Sequence, residues 1–212
     1  MGLFDNLPSV GRTLEDVKHR LRVLTACAAV SLTVAMTKAQ SPPVNWLDRP
    51  LTSWNRAGGP IPRPPAAGES VAAVVARCQL TPRKSIGAEQ SLAAAGWIPF
   101  WNFDQQLVRD DVEIVGGMRG ADGMCRPVEF NLFVFVGGTF AGTLSPNPMT
   151  SRTDSSLGAA RMPLPALTAD FARYTSADAL CCPSGHVTVR YRIDRTAAGP
   201  IVVASEVRDT RR

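Results

Sequence analysis

After Gly96 the sequence alternates between apolar and polar residues with a period of two. This alternation is typical of β-strands that bury one face, and it predicts strands over residues 97–103, 111–119, 128–136 and 139–145. Gly137 and Gly138 separate the last two segments. A two-residue type I′ turn needs positive φ at both positions, which glycine adopts readily, so these two strands are expected to form a hairpin.

The C-terminal third of the chain continues this pattern. Residues 164–174 are ambiguous between a strand and a short helix, and we favour a strand because Leu167, Ala169 and Phe171 fall on one face. Residues 187–194 and 201–207 then predict a final hairpin.

Two short helices are predicted ahead of the strands. Glu69 or Ser70 can cap a helix that extends to residue 80, and residues 85–95 show a second helical pattern that Gly96 ends. The predicted fold class is therefore α+β, with N-terminal helices packed on an antiparallel β-meander over residues 69–212.

The N-terminal region has the features of an export signal. Residues 23–36 form an apolar run of 14 residues that follows a basic stretch at 18–22. A secretory signal with cleavage after Ala39 fits this order, and a retained signal-anchor is the alternative, favoured by a possible helix cap at Thr13. In both cases residues 1–39 direct the following domain out of the cytoplasm, because more positive charge precedes the run than follows it.

Residues 40–68 are rich in proline, with seven of the 17 prolines of the chain between 41 and 68. Such a composition predicts an extended tether. Trp46 and Trp54 indicate that parts of the tether lie on a surface. That surface is either the membrane or a partner protein of the envelope, or else the protein's own domain.

Without Cys27 in the signal, four cysteines remain in an oxidising compartment: Cys78, Cys125, Cys181 and Cys182. Neighbouring side chains point apart in an extended chain, so we expect no bond between Cys181 and Cys182. Two pairings stay open: Cys78 with Cys181 and Cys125 with Cys182, or Cys78 with Cys182 and Cys125 with Cys181. Zinc and redox sites need other spacings, and we expect neither a metal nor a cofactor.

Few residues offer catalytic chemistry. Only two histidines occur, and His186 is the one outside the leader. An acidic cluster at Asp104, Asp110, Asp111 and Glu113 could act on carbohydrate, but a solvated strand end explains it more simply.

The net charge of +5 comes mainly from scattered arginines rather than a basic stripe, which argues against a nucleic-acid partner. Candidate residues for a partner or ligand surface, besides Trp46 and Trp54, are Trp97, Trp101, Arg152 and Asp154. For Trp97 and Trp101 a place in the core is the competing interpretation. For Arg152 and Asp154 the competing interpretation, which we favour, is a pair that fixes their loop.

The segments FNLFVFVGGTFAGTLSPNPMTSRTD (130–154) and LTADFARYTSADALCCPSGHVTVRYRI (167–193) resemble the LppP/LprE lipoprotein family and related exported proteins. The resemblance covers residues 96–207, and its most specific element is the Cys-Cys-Pro-Ser run. It implies an extracytoplasmic domain with disulfides and provides no catalytic residues. The chain departs from a lipoprotein at LTAC (24–27), where the apolar run follows the cysteine instead of preceding it.

Taken together, the sequence predicts a non-enzymatic binding or accessory domain of the cell envelope. In its most specific form, a retained anchor makes the domain a subunit of a larger membrane complex. The alternative is an envelope hydrolase that uses the acidic cluster or His186.

Overall fold

A computed structural model of the protein describes residues 45–66, 69–80, 87–100, 107–162 and 166–209. The predicted signal or anchor, Trp101 and Asp104 lie outside the described residues. Among the residues that are described, no helix is both long enough and apolar enough to cross a membrane.

Both predicted helices are present and are shorter than their sequence patterns. In α1 (Val71–Arg77), the Ser70 hydroxyl accepts a hydrogen bond from Ala73 N at 3.2 Å, which is the N-cap that the sequence predicts. The second helix, α2 (Ala88–Ala94), ends just before Gly96, whose φ is 95°.

The first sheet is antiparallel and consists of β1 (Ile98–Phe100), β2 (Leu107–Arg109), β3 (Val112–Ala121), β4 (Pro127–Val136) and β5 (Thr139–Thr143). Strand β3 pairs with β1, β2 and β4, and β4 pairs with β5. Gly137 and Gly138 connect β4 to β5 with φ of 56° and 76°, so the predicted turn is confirmed.

The second sheet is also antiparallel and consists of β6 (Leu157–Arg161), β7 (Leu167–Arg173), β8 (Gly185–Thr196) and β9 (Gly199–Asp209). Its strands are adjacent in chain order. The strand predicted over 164–174 and the final hairpin are both present. The sequence pattern missed β6, because a register shift between Leu157 and Ala159 interrupts its alternation.

The two sheets face each other across one core. The prediction of a single antiparallel meander was therefore wrong. Phe130 and Val134 of the first sheet belong to the same buried cluster as Phe171 and Tyr191 of the second. Since the helices have only seven residues each, the fold is mainly antiparallel β, and the α+β class is only loosely supported. Alternation identifies the buried face of each strand but not the sheet that the strand joins.

Tyr191 lies in the middle of this core. Its side chain is fully buried, and its hydroxyl donates a hydrogen bond to the carbonyl of Leu144. Burial raises the pKa of Tyr191 well above its usual range. The tyrosine therefore stays neutral and links the second sheet to the chain that leaves β5.

A smaller core covers the outer face of the first sheet. Leu92 of α2 packs there with Trp97, Val115, Phe133 and Phe135. Trp97 is 2 % exposed, and its indole nitrogen donates to the carbonyl of Pro62 at 2.7 Å. The proposal of Trp97 as a partner surface was therefore wrong, and the competing interpretation of a core residue describes it.

Both predicted disulfide connectivities were wrong. The structure joins Cys78 to Cys125, with 5.5 Å between their Cα atoms, and Cys181 to Cys182. Cys78 follows α1, which packs beside β3, and Cys125 lies in the turn from β3 to β4. The argument against the neighbouring pair assumed an extended chain, whereas a turn brings Cys182 N to 2.9 Å from the carbonyl of Ala179.

Candidate functional site

The segment predicted as a tether lies on the folded domain from its first described residue. The Asn45 side chain accepts a hydrogen bond from Leu47 N at 3.0 Å and starts a single 3₁₀ turn, Trp46–Asp48. Leu47 is 8 % exposed and belongs to the core between the sheets. The first described residues of the proline-rich segment therefore belong to the folded domain.

Arg173 at the end of β7 attaches this segment to the second sheet. Its two terminal nitrogens each donate to the Asp48 carboxylate at 2.9 Å, and its Nε donates to Asp154 at 3.0 Å. The two carboxylates raise the pKa of the guanidinium, with the hydrogen bonds to Asp48 as the largest cause. Such bidentate, charge-assisted pairs fix both position and orientation.

Asn55 attaches the same segment to the edges of both sheets. Its side-chain nitrogen donates to Thr143 O of β5 and to Val202 O of β9, each at 3.0 Å, and its oxygen accepts from Thr143 N at 2.9 Å. Gly142 makes room for this amide, since a Cβ at Gly142 would lie 2.3 Å from Asn55 Cγ. One side chain thus bridges β5 and β9, which belong to different sheets.

Between these two attachment points lies a cleft of about 410 Å³, which we call the tryptophan cleft. Trp46 and Trp54 meet edge to face with their ring centroids 5.3 Å apart, and Trp46 also packs on Phe171. The Trp54 indole nitrogen donates to Thr143 O at 3.1 Å, which fixes that ring. The lining residues are Trp46, Arg49, Pro50, Leu51, Thr52, Trp54, Pro146 and Asn147.

The lining of the tryptophan cleft is mostly apolar. Its walls are mostly indole and proline rings, and its polar groups are the Arg49 guanidinium, the Thr52 hydroxyl and the Asn147 amide. The eight lining residues include no carboxylate, imidazole or thiol. In the described part of the chain the buried Trp46 indole nitrogen has no hydrogen-bond partner.

The structure brings together only some of the residues that the sequence singled out. Trp46 and Trp54 form the cleft, whereas Asp154 accepts hydrogen bonds from the Asn45 amide of the segment, from Arg173 and from Tyr174 N. Arg152 is exposed, with a φ of 61°.

Sequence reasoning missed Arg49, Pro146 and Asn147. The two positions on the 144–147 turn are about ninety residues from Trp54 in the chain, and no motif links them to it.

The candidate catalytic groups lie elsewhere. Asp110 and Asp111 form the exposed turn between β2 and β3, and Arg195 donates to Asp111 at 2.7 Å. This hydrogen bond is the largest cause that lowers the pKa of Asp111. Glu113 is half-buried in β3 and His186 is exposed on β8. None of the four lines the tryptophan cleft, and the described residues contain no cluster suited to a metal ion.

Residues 111–196 match the family model described as LppP/LprE lipoprotein. The match confirms the resemblance predicted from the sequence, and it spans β3 to β8. A domain of a lipoprotein family indicates an exported, membrane-associated protein of the cell envelope. Comparisons with curated proteins and with solved structures gave no match.

Proposed function

We propose that this protein is a non-enzymatic binding module of the cell envelope, which holds an extended segment of a partner protein in the tryptophan cleft. The family match supports the location, and the lining of the cleft supports the binding role. In the most specific form of the proposal, a retained N-terminal anchor makes the protein an accessory subunit of a larger membrane complex.

The observation that carries the proposal is the combination of aromatic and proline rings with few polar groups. Grooves lined by aromatic side chains bind extended, proline-containing segments, because such segments lose little conformational entropy on binding. The cleft volume of about 410 Å³ lies within the usual range for ligand pockets, roughly 300–1,000 Å³. A few residues of an extended chain would fit this volume.

The polar groups of the cleft suit a peptide backbone. Asn147 offers an amide, and Arg49 offers a cation to a carbonyl or carboxylate of the bound segment. A buried indole donor without an acceptor costs about 1–3 kcal/mol. A small rotation of the Trp46 ring towards a bound carbonyl would remove that cost.

No specific observation favours the hydrolase alternative. Asp110, Asp111 and His186 are exposed, and Asp111 is engaged by Arg195. Of the described candidates, Asp110, Asp111, Glu113 and His186 do not line the tryptophan cleft.

The cleft is tested by site-specific photo-crosslinking of the full chain in its native membrane. A benzoylphenylalanine replaces Thr52, an exposed lining residue, and a control places it at Ala93, an exposed residue of α2. We expect a discrete adduct with an envelope protein from position 52 that is absent from position 93.

A second substitution decides whether the adduct depends on the cleft. Arg49→Glu reverses the charge of the lining cation and should abolish the adduct, whereas Arg63→Glu, at an exposed site outside the lining, should preserve it. Equal adducts in both variants would contradict the proposal. The anchored form is tested separately by mass spectrometry of the native N-terminus, where a chain that starts at Gln40 would refute it.

A further inference from the structure

The loop over residues 174–184, which joins β7 to β8, is shaped by its own hydrogen bonds. The Asp178 carboxylate accepts from the backbone nitrogens of Thr175 and Ser184 at 2.8 and 3.0 Å, and from their hydroxyls at 3.0 and 2.9 Å. The Tyr174 hydroxyl donates to Leu180 O at 2.9 Å. The loop therefore has a network of hydrogen bonds besides its disulfide.

The bond between Cys181 and Cys182 adds little to the stability of the fold. A disulfide stabilises a protein mainly by closing a loop in the unfolded chain. Cys181 and Cys182 are adjacent in the chain, so their bond closes almost no loop. The bond between Cys78 and Cys125, by contrast, spans 47 positions. A structural role thus explains the bond between Cys181 and Cys182 poorly.

The neighbouring pair is also the more accessible of the two. Cys181 and Cys182 are exposed, as is Leu180 with 68 % of its surface accessible. Cys78 and Cys125 are half-buried, and the Arg77 guanidinium lies 3.5 Å from the sulfur of Cys78. Exposed disulfides are the ones that exchange with external thiols.

We propose that Cys181–Cys182 is a thiol–disulfide exchange site for a dithiol protein of the cell envelope. A thiolate of that protein attacks one of the two sulfurs, the bond between Cys181 and Cys182 breaks, and a mixed disulfide forms. The released sulfur takes up a proton. The second thiol of the dithiol protein then attacks the mixed disulfide and becomes oxidised with the first, so that Cys181 and Cys182 together gain two electrons and two protons.

Leu180 supplies an apolar contact beside the reacting sulfurs, at a place where a partner surface can approach. The site does not share residues with the tryptophan cleft. Failure of either proposal consequently leaves the other intact.

The first experiment exposes the oxidised full chain to graded dithiothreitol at neutral pH, followed by alkylation and tryptic mass spectrometry. Trypsin places Cys78, Cys125 and the neighbouring pair in three different peptides, so each disulfide is read separately. We expect the neighbouring pair to open at about tenfold less dithiothreitol than Cys78–Cys125. Tryptophan fluorescence should remain native at that concentration.

The second experiment uses a reduced Cys-x-x-Cys protein of thioredoxin type at a stoichiometric amount. It should convert Cys181 and Cys182 to thiols and leave Cys78–Cys125 intact. A Cys-x-x-Ser form of the same protein cannot complete the exchange and serves as the control. Simultaneous opening of both disulfides, opening only together with unfolding, or no reaction with the dithiol protein would each overturn the proposal.

Discussion

The two cysteine pairs lie in regions that are held by opposite kinds of contact. Around Cys78–Cys125, two hydrogen bonds of Arg77 join residues that are far apart in the chain, one of them to the carbonyl of Asp122, 45 positions away. Around Cys181–Cys182, the hydrogen bonds of the Asp178 carboxylate and of the Tyr174 hydroxyl span at most six positions. A covalent cross-link between distant positions restricts the unfolded chain and so stabilises the fold, whereas the local hydrogen bonds set the shape of a loop.

The comparison is tested most strongly by removing the Cys78–Cys125 disulfide, which joins distant positions of the chain. The double variant Cys78→Ser and Cys125→Ser should lower the free energy of unfolding by about 4 kcal/mol, because the unfolded chain regains the freedom of a loop of 47 positions. Urea denaturation of the exported domain measures this loss. An unchanged denaturation midpoint would show that the cross-link does not stabilise the fold.

A smaller loss is expected when the contacts beside that cross-link are weakened. Arg77 donates to Asp122 O at 2.8 Å, to Ala121 O at 3.0 Å and to Glu69 at 2.6 Å. Lysine carries a single ammonium group and cannot reproduce this fork, so Arg77→Lys should lower the melting temperature. The decrease in melting temperature should be smaller than the decrease in the double cysteine variant. A larger decrease would contradict this ranking of the two contributions.

In the loop over residues 174–184, acid should weaken the hydrogen bonds of Asp178 and leave the two sheets unaffected. Backbone hydrogen bonds from Thr175 and Ser184 are the largest causes that lower the pKa of Asp178 from 3.8 to about 2. The contribution of this carboxylate is therefore complete above pH 3.8 and is lost as the pH falls through about 2.

Carboxyl resonances followed by NMR should show Asp178 titrating near that lower value. Asp178→Asn should accelerate amide exchange at Thr175 and Ser184 while the sheets keep their protection. A titration at the ordinary value would contradict the hydrogen-bonded loop.

The smallest effect belongs to the neighbouring pair itself. Cys181→Ser with Cys182→Ser should change the free energy of unfolding by less than about 0.5 kcal/mol, since both residues are exposed and their bond closes no loop. The same urea experiment measures it beside the first variant. A loss comparable to that of the Cys78 and Cys125 variant would remove the distinction between the regions.

Much of the secondary structure could be predicted because its signals are local. The Ser70 cap, the stop at Gly96 and the turn at Gly137 and Gly138 each depend on the conformation of a few neighbouring residues. The strand over 164–174 was predicted from the alternation of Leu167, Ala169 and Phe171, all of which are buried in β7. Strand β6 was missed where a register shift breaks the alternation.

The candidate site was only half visible in the sequence. Two tryptophans in a proline-rich segment indicated a surface contact, but nothing predicted that Asn55 would bridge β5 and β9 or that Pro146 and Asn147 would complete the cleft. These contacts depend on how the two sheets face each other, which strand periodicity does not encode.

The sequence by itself determined the positions of most strands and turns and the resemblance to a lipoprotein family, because these follow from local pattern and composition. The tertiary structure decided the partners of the cysteines. A disulfide between residues that are distant in the chain usually joins Cα atoms roughly 4.4–6.8 Å apart, and the fold brings Cys78 and Cys125 to 5.5 Å. Cys181 and Cys182 lie on the exposed loop between β7 and β8 and are bonded to each other.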